Sequence, residues 1–197
     1  VPDAGDGRHR RRLRNADAVV DAVVSLWAEG ELEPGAQAIA DRSGVSLRSL
    51  FRYFEDLDAL VATAVERHGG AQDHWFEPLP DHGSLDERLD RLVDHRLALH
   101  DALFPLWRAA RLRAHRVPRI RHQGAARARQ LRDQTAVLLA PELAAADPTV
   151  RRRALHALEV ALDLESVDRL RVDRAVSRAG ARAALRLLVD GAVAELR

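Results

Sequence analysis

Apolar residues recur at helical spacing along almost the whole chain. Leu13, Ala16, Val19, Val20, Val23, Leu26 and Trp27 fall at i, i+3, i+4 and i+7 positions. That spacing predicts an amphipathic helix, ended by Gly30. Pro34 and Gly35 precede a short helical pattern over 36–43, broken at Gly44. Ser46 has the place of an N-cap for a further helix, Leu47 to Tyr53. Asp56 would cap a fourth, from Leu57 to about His68, with Leu60, Val61, Ala64 and Val65 on one face. Ser84 and Glu87 form a capping box that opens a helix to about His100. Pro105 is expected to interrupt the pattern before a further stretch from Leu106 to about Arg116. Pro118 opens a helix to about Ala140, Asp147–Pro148 opens one running on to about Val172, and a last helix spans roughly 174–196.

No segment alternates with period two between turn signals. The expected fold is therefore all-α, with about nine helices. An N-terminal three-helix domain over 13–55 would carry a helix-turn-helix, and 56–197 would form a linker helix and a bundle. Residues 1–12 are Gly-, Pro- and Arg-rich and are expected to be a disordered basic arm.

The stretch GAQAIADRSGVSLRSLFRYF, 35–54, carries the functional argument. A helix-turn-helix needs a small residue where its helices meet and a turn residue that tolerates positive φ. It also needs apolar anchors behind the second helix. Ala40, Gly44 and the set Ile39, Val45, Leu50 and Tyr53 meet these needs.

Composition sharpens this picture only locally. The net charge is +1 over 197 residues. Residues 1–70 hold nine Arg and twelve acids, while the remainder is positive. Nucleic-acid binding would thus have to come from local clusters, such as Arg8, Arg10, Arg11, Arg12 and Arg14. There is no cysteine, which excludes disulfides and thiolate sites and suits a reducing, cytoplasmic setting. All the Lys+Arg total is arginine. The opening residues VPDAGDGRHRRR have no apolar stretch, so no signal peptide is expected. No membrane span is expected either.

The segment IADRSGVSLRSLFRYF, followed by EDLDAL and preceded by LWAEG, resembles the DNA-binding domain of TetR-family transcriptional regulators over about residues 13–60. A weaker similarity extends to LDLESVDRLR. The resemblance implies a third helix lying in the DNA major groove. Ser46, Leu47, Arg48 and Ser49 would stand at its reading end, with Arg48 facing a guanine. Arg52 and Tyr53 would contact phosphate, and Gln37 and Arg14 the DNA backbone. Phe51 stands where the family usually has a phosphate-binding Tyr. Pro34 and Gly35 replace the usual Thr residues, and Leu57 replaces a usual Lys. The resemblance further implies a homodimer on a palindromic double-stranded operator and a small-molecule effector in the bundle.

No zinc-protease motif, phosphate loop or nucleophile elbow occurs, so no enzyme activity, catalytic residue, metal or cofactor is expected. Candidate pocket residues are Trp75, Phe76, His95, His100, Phe104, Trp107, Gln134 and Asp163. The same aromatics also suit an ordinary core. The His95–His100 spacing does not put both rings on one helix face, which argues against a metal site. Candidate dimer residues are Leu155, Leu162, Leu185, Leu188 and Val189, on apolar faces that a monomer could equally use internally. The expectation is a ligand-responsive, homodimeric regulator, most simply a repressor. A helical enzyme or small-molecule carrier, or a DNA-binding protein without ligand response, remain as alternatives.

Overall fold

The computed structural model describes residues 4–196, and of residues 4–8 the backbone alone. Ten α-helices and no strand occur among them: α1 Ala4–Ala28, α2 Ala36–Ser43, α3 Leu47–Tyr53, α4 Leu57–Gly70, α5 Leu85–Ala114, α6 Pro118–Leu138, α7 Ala140–Ala145, α8 Pro148–Ala161, α9 Leu164–Asp168 and α10 Arg178–Ala194. The protein is all-α, with an N-terminal helix-turn-helix unit and a helical bundle.

The helices divide into two compact units. The first contains residues 1–73 and 105–124, and the second 74–104 and 125–197. This differs from the expected division at 55/56. Helix α4 belongs with the helix-turn-helix, and so do the end of α5 and the start of α6.

In the first unit, Val19, Val23 and Trp27 of α1, Ile39 of α2, Leu50 of α3 and Leu60, Val61 and Ala64 of α4 are buried. Asp56 caps α4, its carboxylate accepting from the Ala59 N–H at 2.7 Å. Asp58 then accepts two hydrogen bonds from Arg116, both at 3.2 Å, and lies 3.4 Å from buried Arg113. Glu66 pairs with Arg119. Three arginines between 108 and 121 thus answer acids of this unit.

In the second unit, Leu89, Leu92, Val93 and Leu97 of α5 form one core with Leu138 of α6, Leu158 of α8 and Leu185 and Val189 of α10. Arg186 of α10 bonds Asp86, Asp90 and Asp190, and Arg182 bonds Asp94 and Asp90. One face of α10 is therefore fixed to α5 by charge.

Four expectations need correction. Residues 4–12 were expected as an irregular arm, and they are helical. Residues 1–3 lie outside the described residues. Helix nucleation is the costly step, so once Val19–Trp27 fixes the register, arginine-rich residues propagate it cheaply. Pro105 does not end a helix but lies inside α5. The lost hydrogen bond is tolerated where the flanking Leu103, Leu106 and Ala109 are buried.

The expected continuous helix 148–172 breaks after Ala161. Asp163 caps a new helix, accepting from the Glu165 N–H at 3.4 Å, and a wider π-type turn follows over Arg169–Asp173. Finally, Leu162, Leu185 and Val189 lie in the unit's own core and Leu155 is half-buried. None of the first three can be presented to a partner. Of the five candidate dimer residues, Leu188 alone is exposed, at 53%. A helical apolar stripe shows which residues are buried together, but not whether the cover is the same chain or another.

Candidate nucleic-acid interface and bundle cleft

The turn between α2 and α3 is built on Gly44, with φ 67° and ψ 16°. That left-handed conformation ends α2, and the Val45 N–H returns to the Ala40 carbonyl at 3.3 Å. Ala40 is 4% exposed and Leu50 fully buried, so α3 is anchored from behind. Ser46 caps α3: its hydroxyl oxygen accepts from the Ser49 N–H at 3.3 Å and donates to the Ser49 hydroxyl at 3.1 Å. The outward face of α3 carries Leu47, Arg48, Phe51 and Arg52, all exposed. Leu47 and Phe51 are one turn apart, so an apolar strip runs beside two guanidinium groups. A major groove offers both kinds of partner, guanine acceptors and thymine methyls.

Beside this face lies an open notch lined by Arg11, Arg12 and Asn15 of α1 and Ser49, Arg52 and Tyr53 of α3. The Tyr53 hydroxyl accepts from Asn15 Nδ2 and from an Arg52 Nη2, each at 3.1 Å. These two bonds hold the phenol below its usual range. Three arginines, two hydroxyl residues and an amide line one concavity, a set that suits a tetrahedral oxyanion such as a phosphate. The sequence pointed to Arg52 and Tyr53 and to a basic arm, but missed Asn15. It also could not say which arm arginines converge. Arg11 and Arg12 each lie about one helical turn before Asn15, a signal that is lost when the arm is read as disordered.

Other expected contacts fare differently. Arg14 is exposed. Gln37 is exposed and donates to Asp41 at 2.7 Å. Arg42 of α2 is paired within the unit. It makes a two-pronged pair with Glu29 at 2.6 and 2.7 Å and donates to Ser25 at 2.7 Å. Its charge serves the α1–α2 junction.

In the second unit the pocket candidates are mostly engaged with one another. Trp75 meets His95 edge-on at 5.5 Å, Arg127 lies 4.3 Å above Phe76, and His100 lies 5.0 Å from Phe104. His100 is buried, 3.5 Å from Asp168. Gln134 is buried and donates to the carbonyls of Trp75 and Glu77. Burial, together with the charge of Arg96 beside it, holds His95 down at about 4, so its ring is neutral at pH 7. Trp107 belongs to the first unit and is not grouped with these residues.

A cleft of about 60 Å³ lies between α6 and α8, lined by Arg96, Leu131, Arg132, Thr135, Leu158, Glu159 and Asp163 among others. Asp163 is thus the one pocket candidate that borders it. Arg96 and Glu159 were not among those candidates. Nothing in the local pattern distinguishes the buried Arg96 from the exposed arginines around it.

The fold has a counterpart of known structure. The chain folds like a transcriptional regulator. The similarity is to a transcriptional regulator from Rhodococcus sp. Rha1, with a TM-score of 0.68 over 93% of this chain and 96% of that one, at 16% identity. No protein-family model matches the chain, and no curated protein matches it. Among the described residues no helix is long and apolar enough to cross a membrane.

Proposed function

We propose that the chain is a homodimeric, ligand-responsive DNA-binding regulator of the TetR type, acting as a repressor in the cytoplasm. The observation that carries this reading is the joint surface of α1 and α3. An anchored seven-residue helix exposes Leu47, Arg48, Phe51 and Arg52, and a cationic notch lies beside it. Arg48 would read a guanine, and Leu47 and Phe51 a thymine methyl. Arg11, Arg12, Arg52 and Tyr53 would grip one backbone phosphate. Ser46 and Ser49 would set the helix end, and Arg14 and Gln37 would lie along the flanking backbone.

Dimerisation draws its support from α8 and α10. Leu187 is 74% exposed, Leu188 53% and Val160 69%. On α10, Ala183, Leu187, Leu188, Gly191 and Ala194 are all exposed at helical spacing. A second copy of this face would bury them, as in a four-helix interface. Two reading helices would then address half-sites one helical turn apart, or a multiple of it. An effector in the second unit would shift the balance between DNA-competent and DNA-free arrangements, α5 and α6 being shared by both units.

Selection of genomic fragments with the purified protein tests the reading. A palindromic motif is expected. Equal recovery of all sequences would leave a nonspecific binder, and no recovery at low salt would refute DNA binding.

A further inference from the structure

Two hydroxyls line the notch between α1 and α3, and the bonds around them restrict what each can still do. A hydroxyl has one O–H to donate and two lone pairs that accept. The Tyr53 oxygen accepts from Asn15 Nδ2 and from Arg52 Nη2, each at 3.1 Å. Both lone pairs are taken, so the O–H proton is what remains for a further partner. The Ser49 oxygen accepts from the Ser46 hydroxyl at 3.1 Å and from Arg52 Nη2 at 3.4 Å. It too is left with a proton to give. Arg11, Arg12 and Arg52 can only donate. These five side chains therefore offer hydrogen atoms and no free lone pair. The complement is a group made of acceptors alone, such as the two unesterified oxygens of a phosphodiester.

Asn15 has a distinct part in this arrangement. Arg52 precedes Tyr53 on the same helix, and its bond alone would leave one phenolic lone pair open. The O–H could then rotate between donating and accepting positions, with Arg11 and Arg12 close by as rival donors. Asn15 closes that second lone pair from α1, across 38 positions of chain, from a half-buried site. Its amide is uncharged, so it adds nothing to the attraction between the notch and an anion. What it adds is direction.

We propose that Asn15 is a positioning residue: by occupying the second lone pair of Tyr53 it commits the phenolic O–H to donation, into an unesterified phosphate oxygen of the DNA backbone held in the notch. The proposal rests on the reading of α1 and α3 as a DNA-binding surface.

Tyr53 is the chain's one tyrosine, so phenolate absorbance in an alkaline titration of the full chain reports it alone, without DNA. A bond donated to the oxygen favours the phenolate. Asn15→Ala should therefore move the midpoint upward. A downward shift would mean that Asn15 accepts from the hydroxyl, and no shift that the bond is absent; either result overturns the proposal. Alanine is the better helix former, so α1 should persist in the variant, as circular dichroism checks. On a labelled operator, Asn15→Ala should weaken binding about fivefold, the worth of one ordinary hydrogen bond, with an unchanged salt slope. In a Tyr53→Phe background it should cost nothing further. Operators carrying a single methylphosphonate, scanned along the backbone, separate positioning from a mere strut between helices. Positioning predicts one location at which the Asn15→Ala loss disappears. A loss of full size at every location, or a full further loss in Tyr53→Phe, would refute it. No DNA binding by the wild type at low salt would overturn the DNA reading and this role of Asn15 with it. A DNA-binding chain whose midpoint fails to rise overturns the role of Asn15 alone.

Discussion

The notch between α1 and α3 makes a quantitative claim about salt. Arg11, Arg12 and Arg52 line one concavity with Asn15, Ser49 and Tyr53, so each subunit should grip one phosphate there, and a dimer two. Each neutralised phosphate contributes about 0.9 to the slope of log K against log salt. Replacing the three arginines by alanine should flatten that slope by about 1.8 for a dimer. Between 50 and 200 mM salt, wild-type affinity should therefore fall about tenfold more than that of the variant. Tyr53→Phe keeps all three charges and removes the hydroxyl held by Asn15 and Arg52. It should leave the slope unchanged and cost about 1 kcal/mol. Fluorescence anisotropy on a labelled operator, across a salt series, separates the two effects. An unchanged slope in the triple variant, with its helical circular dichroism intact, would refute the phosphate-grip argument.

Other consequences can be checked more briefly. Arg48→Ala should cost about 1–3 kcal/mol and relax preference at one base position, read by selection from a randomised half-site. Uracil in place of a thymine facing Leu47 and Phe51 should cost about 0.8 kcal/mol per lost methyl, and nothing in a Leu47→Ala/Phe51→Ala variant. Leu187→Glu/Leu188→Glu should give folded monomers in sedimentation, because neither side chain belongs to the core. Gly44→Ala should lower stability by roughly 1–2 kcal/mol from its positive φ alone, since the added methyl meets no atom within 4 Å. His95, held at about 4 against an ordinary value near 6.5, binds fewer protons folded than unfolded. Stability should thus be full above pH 6.5 and fall as pH drops toward 4, by on the order of 1–2 kcal/mol after screening. His95→Gln should flatten that part of the profile in pH-dependent thermal melts.

What could be read from the sequence is mostly what short-range geometry determines. The Ala40–Gly44–Leu50 spacing marked the turn. Ser46, Asp56, Asp147 and the pair Ser84 and Glu87 marked helix starts, and each acts as a cap. A cap bonds within three residues, so its signal stays in the local string. The missed features bridge longer distances. Asn15 meets Tyr53 across 38 positions, and Arg96 meets Gln134 across 38 and Thr135 across 39. The partner of Arg42 is not legible locally, because Glu29 precedes it by 13 residues, beyond Gly30 and Pro34. Leu185 and Val189 looked like interface residues because a helical stripe carries no label for the chain that covers it.

The helix-turn-helix is not a cassette. Its compact unit is completed by residues 105–124, which the chain reaches only after laying down part of the second unit. Leu106, Ala109 and Ile120 are buried, and Asp58 and Glu66 find their cations at Arg113, Arg116 and Arg119. A fragment cut after residue 73 would lose those cations and leave two acids of α4 unanswered. Recombination that transplants a reading head onto a different sensor would have to carry a discontinuous piece of chain. New specificities should thus arise more readily by substitution at Leu47, Arg48 and Phe51 than by exchange of whole heads.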